Sequence, residues 1–185
     1  MKYFLTLSTL LLLLFQTTTV KCQDRSIQFD VEVEPVAYIF GGAGIHLGVQ
    51  PGKWKYTVEL FGLDIPESLH GNDGFDASVR GVELHVEYFL TDRSPGGFFL
   101  GPELGVSNLE VIHRESGISE DHTQFSAGVR GGYRWYTGLG NLYLSPTAGL
   151  VTSLNSKDFE IEGETFETGP VTPFATVGIG WSFEL

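Results

Sequence analysis

Apolar and polar side chains alternate along most of the chain with a period of two, which predicts β-strands. No long helical periodicity follows the N-terminal segment. Each of the clearest alternating segments has 11 to 14 residues, and a tilted strand needs ~9–11 residues to cross a bilayer. These segments cover residues 53–63, 78–90, 97–109, 123–136, 141–154 and 172–185.

The connections between these segments alternate in length. Short turns are predicted at residues 50–53, 91–96 and 137–140, and longer polar stretches at residues 64–77, 111–122 and 155–171. This outline is typical of a bacterial membrane barrel, which has brief periplasmic turns and larger outer loops. A soluble sandwich has no reason to alternate its loops in this way.

The N-terminal part predicts two further strands. Alternation begins at Ile27, is disrupted by Pro35 and by the glycine-rich residues 41–44, and resumes from Ile45 to Val49. We interpret this as one strand from Ile27 towards Phe40, a glycine-rich outer turn and a short second strand. With both chain ends on the periplasmic side the strand count is even, so eight strands are predicted.

The first 22 residues have the form of a secretory signal. Lys2 precedes the apolar residues 4–15, a run too short for a membrane helix, which needs ~20 apolar residues. Cleavage is predicted before Gln23, which leaves residues 23–185 as one barrel domain. The alternative is lipidation of Cys22, although Lys21 fits a lipobox poorly.

Composition excludes several classes of function. Cys22 is the single cysteine, so the mature chain has no disulfide framework, no thiolate nucleophile and no Cys-ligated metal. The chain has 23 acidic residues against 11 Lys and Arg, and its formal net charge is −12. Because there is no basic stripe to meet phosphates, nucleic acid is not an expected partner.

The two faces of each segment differ in chemistry. In the last segment the odd positions from Ala175 to Leu185 are apolar, while the even positions carry Thr, Gly, Ser and Glu. A bulky apolar face suits lipid, and a face of glycines and charges suits a narrow wet lumen. A soluble lipocalin-like barrel shows the reverse orientation. Alternation alone fits either barrel, but the leader, the glycines and the terminal strand favour the membrane.

Aromatic residues gather near the predicted periplasmic end, as expected for a membrane interface. Trp54 follows the first short turn, Trp135 precedes the third, and Trp181 lies near the terminus. The predicted interfacial aromatics are Trp54, Tyr88, Phe98, Trp135, Tyr136, Tyr143 and Trp181. Ordinary aromatic residues of a sheet are the alternative explanation.

The polar faces bring ionisable side chains together in the predicted lumen. This set consists of Lys55, Glu59, Glu83, His85, Glu87, Glu103, Arg130 and Arg134. Glu83, His85 and Glu87 alternate on one strand face, about 6.6–6.8 Å apart, so a proton-sensitive gate, a metal site or an acid–base pair are possible functions. Structural charge pairing is favoured, because an unpaired buried charge is costly. No metal or other cofactor is predicted.

Catalysis has little support in the sequence. No Gly-x-Ser-x-Gly elbow or other hydrolase signature is present. His113 and His122 with Glu115 and Asp121 could form an acid–base cluster at the outer rim, although solvated loop residues are the favoured interpretation. The acidic stretches 64–77 and 155–171 could bind divalent cations, reach lipopolysaccharide through them or contact a basic partner, or simply be solvated.

The mature chain resembles the small eight-stranded outer-membrane barrels of Gram-negative bacteria, the OmpA/OmpX type and the wider porin-like families. The resemblance rests on the terminal strand with Trp181, Phe183 and Leu185, and on segments such as Gly131-Gly132-Tyr133-Arg134-Trp135. Such a terminal strand is similar to the signal that the barrel assembly machinery reads, although members usually end in Phe. The resemblance implies an all-β, antiparallel up-and-down transmembrane barrel in the outer membrane, in contact with lipid and lipopolysaccharide.

Fold alone does not select an activity in these families. The sequence favours a non-enzymatic barrel with a charge-paired lumen and acidic outer loops, acting in surface interaction or envelope integrity, with an extracellular ligand that it does not identify. The alternatives are a small passive channel, a lipid-modifying enzyme and a secreted soluble binding barrel.

Overall fold

The structure is a computed structural model that describes residues 27–91 and 96–184. The predicted signal segment, residues 1–22, and the terminal Leu185 lie outside the described residues. Eight strands form the barrel: β1 (Ile27–Val33), β2 (Ala43–Pro51), β3 (Trp54–Ile65), β4 (Phe75–Phe89), β5 (Gly97–His113), β6 (Ser119–Tyr136), β7 (Leu142–Ser153) and β10 (Thr172–Glu184). They close into one antiparallel ring in the order β1-β10-β7-β6-β5-β4-β3-β2.

The topology is up-and-down, and the predicted fold class is confirmed. Each barrel strand pairs with its neighbours in the sequence, and β1 closes the ring against β10 through pairs from Gln28↔Glu184 to Val33↔Ile179. A separate hairpin, β8 (Phe159–Ile161) and β9 (Glu164–Phe166), lies in the connection between β7 and β10. No helix in the described residues is long and apolar enough to span a membrane.

The first outer connection is a helix, and the prediction of a strand towards Phe40 is wrong beyond Val33. Pro35 begins the short helix α1 (Pro35–Ile39). Proline has no N–H for a strand ladder, and its fixed φ fits the first turn of a helix. Gly41 then turns the chain with a φ of 71°, and a Cβ on Gly42 would lie 1.8 Å from the Gly62 carbonyl oxygen.

Strands β4, β5 and β6 are longer than predicted, and the prediction of a long polar loop at residues 111–122 is wrong. The β5–β6 ladder continues from Asn108↔Thr123 to Ile112↔Ser119, so only residues 114–118 form the turn. The stretch 64–77 likewise contains regular secondary structure: the end of β3, the helix α2 (Glu67–His70) and the start of β4.

The barrel is polar inside and apolar outside. Leu84, Leu104 and Val129 are 55–58% exposed on its outer face, while His85, Glu103 and Arg130 are at most 5% exposed. Because the apolar side chains point outward, burial within the barrel does not remove them from water. The barrel therefore depends on lipid to cover its outer surface. The arrangement is the reverse of that in a soluble binding barrel.

Beyond the bilayer the inner face of the long strands becomes apolar and is covered by the β8–β9 hairpin. Seven buried residues form this second core, and we refer to them with the hairpin as the outer cap: Phe75, Ala77, Leu109, Val111, Phe159, Ile161 and Phe166. Ile65 packs against the cluster. The hairpin is joined to the barrel rim by Asn72, whose side chain donates to the Glu167 carbonyl and accepts from its N–H.

A charge in the centre of the outer apolar surface should destabilise the barrel. Leu84 lies between Val82 and Val86 on the lipid-facing side of β4. We expect Leu84→Arg to lower the free energy of unfolding by about 2–4 kcal/mol, since a guanidinium at the bilayer midplane is costly. Chemical denaturation of the barrel in lipid vesicles measures this loss.

Thr123→Arg is the matched control for that substitution. Thr123 is exposed on the same outer face of the sheet, but pairs with the polar Asn108 beyond the apolar band. We expect it to change stability little. Equal losses from the two substitutions would contradict the assigned position of the bilayer.

Candidate functional site in the barrel lumen

The strand alternation places an ionic cluster inside the barrel. Three fixed cations, Lys55, Arg130 and Arg134, lie on β3 and β6. Two histidines, His46 and His85, lie on β2 and β4. Seven acidic residues surround them: Asp30, Glu32, Glu34, Glu59, Glu83, Glu87 and Glu103. We refer to these twelve residues as the lumen cluster.

Arg134 organises the end of the lumen near the short turns. Its Nη2 lies 3.0 Å from Asp30 Oδ2, and its Nη1 donates to Gln50 Oε1 at 3.0 Å. The guanidinium carbon is 4.4 Å from the ring centroid of Tyr143 and 5.0 Å from that of Phe89. A fully buried guanidinium needs such partners, because desolvation of an unpaired charge is costly.

Arg130 and Lys55 bridge several carboxylates in the middle of the lumen. Arg130 lies 3.4 Å from Glu87, 3.7 Å from Glu103 and 3.8 Å from Glu59. Lys55 Nζ is 3.8 Å from both Asp30 and Glu87. Each cation therefore contacts carboxylates on two or three different strands, including strands that are not its neighbours in the barrel.

The two histidines lie next to each other on the side of the cluster rich in glutamates. Their ring centroids are 5.9 Å apart. His46 has carboxylate oxygens of Glu32, Glu34 and Glu59 within 3.5 Å of its ring nitrogens. His85 contacts Glu59 at 3.4 Å and Glu83 at 3.3 Å, and Arg130 Nη1 lies 2.7 Å from its Nδ1.

Glycines in the wall make room for these side chains. A Cβ on Gly178 would lie 2.0 Å from Glu32 Oε1, and a Cβ on Gly128 would lie 2.5 Å from Glu103 Oε1. The carboxylates of Glu32 and Glu103 thus occupy the space over β10 and β6 at positions where these strands carry glycine. The lumen is filled by alternating large polar groups and glycines.

All eight residues of the predicted charge network lie inside the barrel, with Glu83 the most exposed of them. Five further polar residues lie in the lumen outside that predicted network: Asp30, Glu32, Glu34, His46 and Gln50. Their signal was present for β1, since Asp30 and Glu32 alternate with Phe29 and Val31.

The predicted interfacial aromatics separate into two groups. Trp54, Phe98, Trp135 and Trp181 are 43–59% exposed on the outer surface, and Trp54 packs against Tyr88. Tyr143 is fully buried against Arg134, which corrects its predicted place at the lipid interface. Tyr136 also points inward, where its hydroxyl lies 2.7 Å from Ser182 Oγ.

Of the predicted terminal assembly signal, Trp181 and Phe183 project outward from β10, with 43% and 49% of their surfaces exposed. Its third member, Leu185, lies outside the described residues. The recognition of this strand by an assembly machinery stays a prediction.

The histidines of the outer rim have structural partners in the β8–β9 hairpin and in the neighbouring turns. His113 lies 3.4 Å from Glu164 and 2.9 Å from Ser116 Oγ, while His122 Nε2 is 2.8 Å from the Asn155 carbonyl oxygen. His113 and His122 thus have different partners, and neither of these contacts involves Glu115 or Asp121. On the same rim, hydrogen bonding to Arg114 holds the pKa of Glu67 below its usual value.

Comparison with known proteins places the fold. No protein-family model matches the sequence, and no curated protein matches it. Among solved structures, Neisserial surface protein A is 15% identical with a TM-score of 0.53, and the match covers 86% of this chain and 96% of that one. A major outer membrane protein from Thermus thermophilus is 12% identical with a TM-score of 0.53, and the match covers 86% of this chain and all of that one.

At these identities the comparisons show a shared fold. This chain has the eight-stranded barrel of small outer-membrane proteins, and its outward apolar surface is that of a protein in a membrane. The expected outer-membrane location agrees with both observations.

Removing Arg134 should leave Asp30 without its principal partner. We expect Arg134→Met to lower the free energy of unfolding by about 3 kcal/mol or more, because removing one partner of a buried ion pair leaves the other charge buried and uncompensated. Adding Asp30→Asn should restore part of the loss, and a double-mutant cycle in denaturant measures this coupling.

The control for this cycle is Glu120→Gln, which removes an exposed pair with Lys157. Exposed pairs contribute little to stability, so no measurable change is expected. Additive losses for Arg134 and Asp30 would contradict their direct coupling.

Proposed function

We propose that this protein is a non-enzymatic outer-membrane barrel that acts at the cell surface, in surface interaction or in envelope integrity. The observation that carries the proposal is the outer cap. The chain uses the extensions of β4, β5 and β6 and the β8–β9 hairpin to build a second, folded core beyond the bilayer. A barrel that needed only to span the membrane would have no use for this core.

The cap carries an acidic surface. The connection that carries the hairpin, residues 155–171, has one basic residue, Lys157. Five acidic residues lie on or beside the hairpin: Asp158, Glu160, Glu162, Glu164 and Glu167. On the rim, Arg114 is engaged by Glu67 and Asp76. We infer that a partner at this surface is cationic, or is lipopolysaccharide bridged by divalent cations, since like charges repel at short range.

The filled lumen argues against a passive channel. Side chains with at most 1% exposure occupy three levels of the interior. Arg134 and Phe89 lie near the short turns, His85 lies in the middle, and Phe75 and Phe159 lie in the outer cap. Ion pairs across the middle level add further obstruction. A conducting barrel needs a continuous aqueous path, and a small eight-stranded barrel has an interior just wide enough for side chains.

The purified protein should therefore show no steady single-channel openings in planar bilayers. The measurement compares it with empty detergent and with a porin of known conductance under the same voltage. Steady openings would favour the channel instead, and altered lipid A or phospholipid profiles on overexpression would favour an enzyme.

The outer cap should also resist proteases as long as its core is intact. We expect Phe159→Asp to release the hairpin, because a carboxylate in place of a fully buried ring is left without partners. Proteinase treatment of intact cells, followed by mass spectrometry, should then show cleavage within residues 154–171 while the barrel remains protected.

Val171→Asp is the control, since Val171 is 52% exposed in the same connection. It should leave the cleavage pattern unchanged. Cleavage of the wild-type hairpin to the same extent as that of Phe159→Asp would contradict a folded cap. Loss of surface function in Phe159→Asp but not in Val171→Asp would support the role of the cap.

A further inference from the structure

We propose that the lumen cluster contains a binding site for a divalent transition metal, with zinc as the reference ion, formed by His46, Glu59 and His85. One potential ligand atom of each residue lies within 4.8 Å of the others. All three residues are at least nine-tenths buried. The site lies in the barrel lumen and does not depend on the proposed role of the outer cap.

The spacing around Glu59 fits metal coordination. Glu59 Oε2 lies 3.3 Å from His46 Nε2 and 3.4 Å from His85 Nε2. Ligands bound to tetrahedral zinc at ~2.0–2.1 Å are separated by about 3.3–3.4 Å. A single carboxylate oxygen thus sits at the expected ligand-to-ligand distance from two imidazole nitrogens, and Glu34 Oε1 lies 3.5 Å from His46 Nε2 as a further oxygen.

An independent observation is that His46 Nε2 has no hydrogen-bond partner among the described residues. His46 is 2% exposed, so water does not readily satisfy this atom. Its neighbours Glu59 and Glu34 are close, but not in hydrogen-bonding geometry. A buried nitrogen that makes no hydrogen bond is costly, and a metal ion would satisfy it.

A second carboxylate is placed to orient His46. Glu32 Oε1 lies 3.5 Å from His46 Nδ1, the nitrogen opposite the proposed ligand atom. Histidines that bind a metal commonly donate their other N–H to a carboxylate, which fixes the tautomer and the ring orientation. The arrangement Glu32–His46–metal has this form.

The charge of the cluster also favours a cation. Seven carboxylates face three fixed cations in the described lumen, so a surplus of acidic groups remains when the histidines are neutral. Two imidazoles with one carboxylate select zinc and its neighbours in the transition series over Ca²⁺ and Mg²⁺, which prefer sites formed by oxygen atoms alone.

Binding requires one local rearrangement. Arg130 Nη1 lies 2.7 Å from His85 Nδ1 and 2.9 Å from its Nε2. When a metal occupies Nε2, Nδ1 carries the proton and cannot accept from the guanidinium. Arg130 must then turn towards Glu87 and Glu103, whose oxygens are already 3.4 Å and 3.7 Å away.

The test uses the refolded barrel in detergent micelles and zinc itself as the probe. Equilibrium dialysis followed by elemental mass spectrometry should find one zinc per wild-type barrel, retained in excess Ca²⁺ and Mg²⁺. We expect His46→Gln and Glu59→Gln each to weaken binding by at least about 10–100-fold, since both remove a ligand. His113→Gln and His122→Gln are matched controls at the outer rim and should bind as the wild type does.

Cobalt gives a second readout that does not depend on the variants. Co²⁺ bound to the wild-type barrel should show the visible absorption of a nitrogen- and oxygen-ligated tetrahedral or five-coordinate site. Heat-modifiable migration on gels confirms that each variant is folded. Three results would overturn the proposal. They are absence of zinc from the folded wild-type barrel, full zinc binding by His46→Gln, and loss of zinc binding only in His113→Gln and His122→Gln.

Discussion

The structure depends on one constraint: a closed ring of strands in hydrocarbon must place its polar side chains inside. Closure leaves no free strand edge within the bilayer, so the backbone groups are satisfied between strands. Each side chain in the membrane then faces either lipid or the lumen. Apolar residues such as Leu84 and Leu104 face lipid, and the charged residues that alternate with them are forced into a lumen only as wide as the side chains themselves.

Crowding in that lumen explains why its charges form a network rather than isolated pairs. Arg130 faces Glu59, Glu87 and Glu103 from three different strands, and Lys55 faces Asp30 as well as Glu87. A buried ion pair is weak support for stability when compared with an apolar core. Here the outer face meets lipid, so the lumen is the place left for charged side chains. The network also couples strands that are not neighbours in the barrel.

The sequence pattern predicted the strands, their faces and eight charged lumen residues because the period-two signal is strong wherever one face meets lipid. It failed beyond the bilayer, where the outward face of the strands becomes polar and the inward face apolar. Glu120 is paired with Val111 across β5 and β6, although both residues lie in the stretch 111–122 that was predicted as a loop. Tyr143 shows the opposite error: a general preference of tyrosine for interfaces was given more weight than its inward position between Leu142 and Leu144.

The outer cap follows from the same alternation, carried past the membrane. The inner face of β4 and β5 continues the lumen face but changes from charged to apolar, as Phe75 and Val111 replace the glutamates. Outside the bilayer such a surface needs protein rather than lipid to cover it, because water is its alternative. The β8–β9 hairpin supplies Phe159, Ile161 and Phe166 for this purpose. The chain therefore has two cores of opposite polarity, one stabilised by ion pairs within lipid and the other by apolar burial within water.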